Sequence, residues 1–162
     1  MESRLFTNFA KEEVEKILSF MKKKNFEKDT LIFKEGDEGD ELFLIYKGEV
    51  EIFIERKDKR ITLATLSVGD FFGEMGILRG DKRSASVLSK TYLETYSISR
   101  KDIEKFLDLS SRIAAKFFIN ISEVLAERIA TTNREVENWF LINDALVENE
   151  TFRNIYFKTH KR

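Results

Sequence analysis

From about Asp29 to Ser99 the chain runs in short apolar stretches of two-residue period, with helical spacing before and after them. Thr30–Phe33, Glu41–Tyr46, Glu49–Glu55, Ile61–Leu66, Arg83–Ser89 and Tyr92–Ser99 read as strands. Val50, Ile52 and Ile54 alternate with Glu49, Glu51 and Glu55, so one face of that strand is buried and the other is wet. Lys47-Gly48 is a tight turn and Arg56–Arg60 a charged hairpin tip. About seven strands in roughly 70 residues predict a small antiparallel barrel or jelly roll. Ahead of it, Phe6, Phe9, Val14, Ile17, Leu18 and Met21 predict a helix over Arg4–Lys24, with Thr7 or Asn8 as its cap. Behind it, Asp102–Leu107 reads as a short helix, and Ser110 or Ser111 caps a long one to about Leu146.

The expected fold is α+β: a small antiparallel β jelly-roll barrel with an N-terminal helix and a long C-terminal helix. Residues 1–142 would form one domain (barrel about 26–100, long helix about 110–146), and 147–162 a short tail with at most one short helix and a basic end.

Composition excludes several function classes. There is no cysteine, which removes disulfides, iron–sulfur clusters and thiolate zinc sites. The first twenty residues mix acids with amphipathic apolar spacing, unlike a signal segment or a membrane span. A cytoplasmic protein is therefore expected. With 28 basic and 29 acidic residues the net charge is −1, against a dedicated nucleic-acid surface. The local clusters Lys22–Lys24 and Lys158–Arg162 read as solvated faces.

Along the long helix, Phe118, Ile121, Leu125, Arg128, Thr132, Glu135, Trp139, Ile142 and Leu146 recur at alternating spacings of three and four. The ends of this seam are apolar and its middle is polar. Two readings stand: a helix packed on its own barrel, or a parallel homodimer helix over Phe118–Leu146 whose polar middle faces a ligand.

The stretch richest in chemistry is Phe71-Phe72-Gly73-Glu74-Met75-Gly76-Ile77-Leu78-Arg79-Gly80-Asp81-Lys82-Arg83-Ser84-Ala85-Ser86-Val87. Two glycines bracket an acid at a strand end, a short apolar helix follows, and an arginine opens the next strand. Bare glycines let backbone N–H groups approach a ligand, and a helix start offers unpaired donors to an anion. Arg83 would supply the charge through a fork matched to phosphate oxygens. Glu74 cannot take a phosphate, so its use would be to accept hydrogen bonds from hydroxyls, as on a ribose. On residue types alone, a surface turn with a Glu–Arg ion pair worth under about 1 kcal/mol is an equal reading.

Phe72-Gly73-Glu74-Met75-Gly76-Ile77-Leu78 followed by Arg83-Ser84-Ala85 resembles the phosphate-binding cassette of cyclic-nucleotide-binding domains. Gly36–Val50 and Val68–Phe72 resemble that family's other recurring turns, and the likeness extends over about residues 5–142. The chain is similar to the sensor half of the catabolite-activator and fumarate–nitrate-regulator group. The resemblance implies that Glu74 holds the ribose 2′-hydroxyl. It implies that Arg83 pairs with the cyclic phosphate, helped by Ser84 and by backbone N–H groups around Gly73, Met75, Gly76 and Ala85. In that group the long helix dimerises and two of its middle residues meet the base. Aligned on Arg128–Asn133, these are Thr132 and, from the other subunit, Asn133, with Arg128 reaching the ligand less directly.

The family's transcription regulators carry a winged helix-turn-helix that this chain lacks. The expectation is a free-standing sensor module that binds a cyclic nucleotide, catalyses nothing and signals to a protein effector by rearranging its C-terminal helix. The alternative is the sensor portion of a regulator whose DNA-binding domain is absent from this chain. A jelly-roll enzyme such as a cupin needs converging histidines, and the one histidine, His160, stands outside the barrel. Metals, haem and other cofactors are not expected, nor are membrane or direct nucleic-acid partners. A Thr after the cassette arginine favours cyclic GMP in the family; Ser84 stands there, and Thr132 suits an adenine amino group. The expected ligand is therefore cyclic AMP rather than cyclic GMP.

Overall fold

The computed structural model describes residues 3–80 and 82–159. His160, most of the basic cluster at the C-terminus and Asp81 of the glycine-rich stretch lie outside the described residues.

The N-terminal segment departs from the single expected helix. Arg4–Phe6 forms a 3₁₀ turn, capped by Ser3 Oγ, which accepts from the Leu5 N–H at 3.2 Å. Asn8 then takes a positive φ of 62°, a left-handed step that ends any helical run. Helix α1 covers only Lys11–Leu18. Its cap is neither Thr7 nor Asn8. The Glu13 carboxylate reaches back to the Ala10 N–H at 2.9 Å, half of a capping box without its hydroxyl.

After α1 the chain turns at once into strand β1, Lys22–Phe26, which lies antiparallel to β8, Leu93–Ser99. Ladder hydrogen bonds to a neighbour some 70 residues away outweigh the weak helical preference of Lys-Lys-Lys-Asn-Phe, which has no apolar stripe to bury as a helix.

Between them lie β2 (Leu31–Phe33), β3 (Glu41–Lys47), β4 (Val50–Arg56), β5 (Lys59–Leu66), β6 (Phe71–Phe72), α2 (Glu74–Arg79) and β7 (Ser86–Ser89). The hairpin tip between β4 and β5 is Lys57-Asp58, both with positive φ, the two-residue turn whose twist matches its strands. The eight strands do not close into one barrel. They form two four-stranded antiparallel sheets, ordered β1-β8-β3-β6 and β2-β7-β4-β5, a double-sheet jelly roll.

The inner faces of both sheets meet in one core. Phe43, Ile45, Phe72 and Leu93 come from the first sheet, Val50 and Val87 from the second, with Phe26, Phe33, Ile52 and Leu66 at its margin. Leu42, Leu44 and Ile98, on the other face of the first sheet, are also fully buried, so β3 and β8 are covered on both sides. Their near-continuous apolar run is what a strand buried on both faces requires.

Helix α3 runs from Arg100 to Glu148 with one non-helical residue, Ser110 (φ −158°, ψ 55°). It is thus a short helix followed by a long one with the joint at Ser110, and α4 covers Glu150–Thr159. Ser99 caps the start of α3: its Oγ accepts from the Asp102 N–H at 3.2 Å and donates to the Asp102 carboxylate at 2.8 Å.

The chain divides into two compact units, one ending at Ile121 and the other beginning at Ser122. In the first, Phe106, Phe117 and Ile121 are buried, and Asn120 ties the helix to the N-terminal turn. Its Nδ2 donates to the carbonyls of Leu5 and Thr7, both at 2.9 Å. Asn120→Ala would strand two carbonyls beside a buried helix face and should lower stability by about 1–3 kcal/mol, read from the urea midpoint at unchanged slope.

The expected seam splits across these units. Ile121, 1% exposed, serves the first unit's own core, as a helix packed on its barrel would. In the second unit Ile129, Val136, Trp139, Phe140, Leu141 and Val147 are exposed, Trp139 by 74%. Among the described residues no helix is long and apolar enough to cross a membrane.

Candidate functional site

The glycine-rich stretch forms a strand, a sharp turn and a short helix because its residues permit nothing smoother. β6 brings in Phe71 and Phe72, both buried. Gly73 then adopts φ 80°, a left-handed cap before α2. A Cβ at Gly73 would lie 2.6 Å from the Glu41 carbonyl and 2.9 Å from Arg83 Nη1, so space as well as conformation calls for glycine. Glu74 opens α2 with 9% exposure, Met75 is half-buried, and Gly76 and Ile77 are buried.

Arg83 lies in the loop after α2 and does not open the next strand, since β7 begins at Ser86. The loop between β2 and β3 holds its backbone on both sides. The Gly36 N–H donates to the Arg83 carbonyl at 2.8 Å, and the Arg83 N–H donates to the Asp37 carbonyl at 2.9 Å. That loop is itself closed by Asp37, whose carboxylate accepts from the Lys34 N–H at 2.8 Å. Ser84 is exposed and Ala85 buried.

The Arg83 side chain turns inward and is only 7% exposed. Its Nη1 donates to two carbonyls, Glu41 at 2.9 Å and Gly73 at 3.1 Å. Its Cζ sits 4.1 Å from the centroid of the Phe33 ring. Among the described residues its Nε is the one buried side-chain polar atom without a hydrogen-bond partner. Burial pushes the guanidinium below its ordinary pKa, opposed by the negative charges of Glu41, Asp40, Glu74 and Asp37. It stays charged all the same, since arginine starts so far above neutral pH.

One of those acids is taken by another partner. The Glu41 carboxylate accepts from Lys24 Nζ at 2.7 and 2.8 Å and from Ser97 Oγ at 3.3 Å. Arg83 therefore receives the backbone oxygen of Glu41 while Lys24 occupies its carboxylate. A buried cation held by neutral carbonyls, with a donor to spare, is an arrangement suited to an anion.

Of the residues expected from the sequence, Gly73 and Gly76 lie against the Arg83 head and the charge of Glu74 acts on it, while Met75, Ser84 and Ala85 are their neighbours in the chain. Arg128, Thr132 and Asn133 stand on α3 in the second unit, Arg128 half-buried and the other two exposed. Thr132 Oγ1 donates to the Arg128 carbonyl at 3.0 Å, which leaves the hydroxyl oxygen as an acceptor.

Three neighbours of Arg83 escaped the sequence reading, Phe33, Gly39 and Glu41, and so did Lys24, which holds the Glu41 carboxylate. Gly39 and Glu41 lie in the Gly36–Val50 turn already singled out, but nothing local tells that they face residue 83. Phe33 reads only as one more strand position. A groove of about 640 Å³ elsewhere, lined by Arg4, Phe6, Val14, Val68 and Asp70 among others, contains none of the expected residues. No cluster of three or more potential metal ligands exists among the described residues.

Comparison with known proteins gives the family. The family model described as cyclic nucleotide-binding domain matches residues 23–110, which include all eight strands but the first residue of β1. The cyclic AMP receptor protein of Thermus thermophilus is 32% identical over 136 residues, covering 83% of this chain and 61% of that protein. A cAMP-dependent protein kinase regulatory subunit of Pyricularia oryzae is 31% identical over 114 residues, 64% of this chain and 29% of that one. The crystal structure of the Thermus thermophilus catabolite activator protein superposes with a TM-score of 0.78 at 30% identity, covering 86% of this chain and 64% of the other. The chain thus spans between about three-tenths and three-fifths of the length of these curated relatives. These relatives are regulatory proteins, and the chain belongs to the cyclic nucleotide-binding domain family.

Proposed function

We propose that this chain is a sensor module that takes a cyclic nucleotide, cyclic AMP in preference to cyclic GMP, through Glu74 and Arg83. The observation that carries the reading is the buried Arg83 head, anchored by two carbonyls and left with an unpartnered Nε. A cyclic phosphate would supply the missing acceptor and the missing charge together. Glu74, on the first turn of α2, would accept from the ribose 2′-hydroxyl, with Gly73, Met75, Gly76, Ser84 and Ala85 lining the phosphate. The cytoplasm and a role without catalysis fit such a module.

The base-directed roles of Arg128, Thr132 and Asn133 rest on the resemblance. Their chemistry supports adenine: Thr132 commits its hydroxyl proton to the Arg128 carbonyl and keeps acceptor lone pairs, which suit an amino group rather than a carbonyl. The names of the relatives, a cyclic AMP receptor and a cAMP-dependent kinase subunit, support the same ligand.

Signalling would pass through the long helix, as a homodimer in the second unit whose geometry the ligand biases for an effector. Only a difference in affinity between two arrangements can shift their populations. The other arrangement of the same parts is the sensor portion of a transcription regulator, with the relatives' greater length in its favour.

Calorimetry with cyclic AMP, cyclic GMP and a cyclic dinucleotide tests the reading; no heat with any of them would sink it. Glu74→Gln discriminates further. A carboxylate–hydroxyl bond is worth about 1.5–3 kcal/mol, and the 2′-deoxy analogue has none to lose. Cyclic AMP should weaken roughly 10- to 150-fold and 2′-deoxy cyclic AMP hardly at all. Equal losses would remove Glu74 from the ribose role.

A further inference from the structure

We propose that Phe33 and Gly39 are positioning residues that together orient the Arg83 guanidinium, so that its Nε edge is presented as a rigid donor to an anion. The ligand readout of this proposal rests on the cyclic-nucleotide reading; the orientation itself does not.

The Arg83 head is restrained in three ways. Nη1 is pinned by the carbonyls of Glu41 and Gly73. The Phe33 ring lies against it, 4.1 Å from centroid to Cζ. Gly39 lies so close that a Cβ there would fall onto Nε, Cζ and Nη2 of the same side chain. Phe33 is not free to swing away. Its ring packs against Phe43 at 6.1 Å and Phe72 at 5.9 Å, and those two are stacked at 5.1 Å with 7° between their planes.

An aliphatic residue at 33 would fill much of the same space, but only an aromatic face attracts a planar cation. Alanine at 39 needs no left-handed backbone, since Gly39 is not among the residues of positive φ, and the three nearest atoms it would meet all belong to Arg83. Alanine at 39 therefore acts first on Arg83, whereas leucine at 33 also loosens the packing on Phe43 and Phe72, which tyrosine keeps. With Nη1 committed to carbonyls, the anion has to be met by the Nε edge, and the angle of that edge is what the ring and the glycine decide.

Binding of cyclic AMP is measured by calorimetry for the parent, Phe33→Leu, Phe33→Tyr and Gly39→Ala, with melting temperature alongside. In the ligand-free proteins the Arg83 Nε–H resonance is followed by NMR, with Arg83→Lys to assign it. Phe33→Leu should weaken cyclic AMP by roughly 2- to 30-fold while Phe33→Tyr stays near the parent. Gly39→Ala should lose at least as much as Phe33→Leu at a nearly unchanged melting temperature. The Arg83 Nε–H signal should move downfield in Phe33→Leu as the ring current is lost, and stay put in Phe33→Tyr. Equal affinities for the leucine and tyrosine variants, or parent-like binding by Gly39→Ala, overturns the proposal. Should Phe33→Leu fail to fold, Gly39→Ala and the tyrosine variant still decide it. Should the parent bind no cyclic nucleotide, the function proposed above falls, and the Arg83 resonance alone decides the orientation: an unmoved signal in Phe33→Leu refutes it.

Discussion

Arg83→Ala should all but abolish binding of cyclic AMP while leaving the jelly roll folded. The phosphate would approach a position on which the negative charges of Glu41, Asp40, Glu74 and Asp37 act. Without the guanidinium, that field opposes the ligand. Leaving a buried charge unpaired costs about 2–5 kcal/mol, or roughly 30-fold to several thousand-fold in affinity. The fold should survive because the core of Phe43, Ile45, Val50, Phe72, Val87 and Leu93 does not include Arg83. The carbonyls of Glu41 and Gly73 lose a donor, which limits the cost to stability to about 1–3 kcal/mol. Arg83→Lys should recover only part of the affinity, since donors on a single nitrogen replace a planar fork whose Nη1 and Nε edges point to different partners. Calorimetry beside circular dichroism checks this. A folded Arg83→Ala protein that binds within threefold of the parent would make the cassette assignment wrong.

The second large effect is expected in the second unit. Ile129, Val136, Phe140 and Val147 are each more than 60% exposed, and their spacings of seven, four and seven are those of a coiled-coil seam. A soluble chain seldom leaves such a row in water. Val136→Glu combined with Phe140→Glu should therefore turn a dimer into a monomer. Burying each such side chain is worth about 1.5–3 kcal/mol, and a two-fold dimer loses four of them. Dimer affinity should fall by at least about ten-thousandfold, before repulsion between the new carboxylates is counted. Ile121 is the wrong place for this test, because it is buried in the first unit and a glutamate there would unfold the chain. Sedimentation at tens of micromolar, with and without cyclic AMP, gives the answer. A parent that stays monomeric in both conditions would leave the helical signalling route without support.

Much of this was readable from local pattern. The alternation in Val50–Ile54 is met in part: Val50 is buried and Ile52 joins the core margin, but a register shift after Ile52 buries Phe53 and leaves Ile54 half-buried. The Lys57-Asp58 tip falls inside the charged turn read between two apolar runs. The break at Ser110 stands where a cap residue interrupts helical spacing. Gly73, Glu74 and Arg83 stand out by residue type, but a surface ion pair is an equal reading of the same pattern until the resemblance to the phosphate-binding cassette is added.

What the pattern could not supply was the partner of each face. Lys22–Phe26 becomes a strand only because β8 offers it a ladder, and no window of sequence around it contains that fact. The companions of Arg83 are likewise remote: the Glu41 carbonyl is 42 residues away, and Phe33 and Gly39 lie in or beside a different strand. The seam on α3, apolar at both ends, reads as a single object, yet Ile121 at its start is consumed by the first unit's core while Trp139 and Ile142 stay exposed. Periodicity reports that a face is apolar, through side-chain directions set by the backbone over a few residues. Which element covers that face, and which cation is left with a donor to spare, depends on contacts between distant segments, and those exist only once the two sheets have closed on each other.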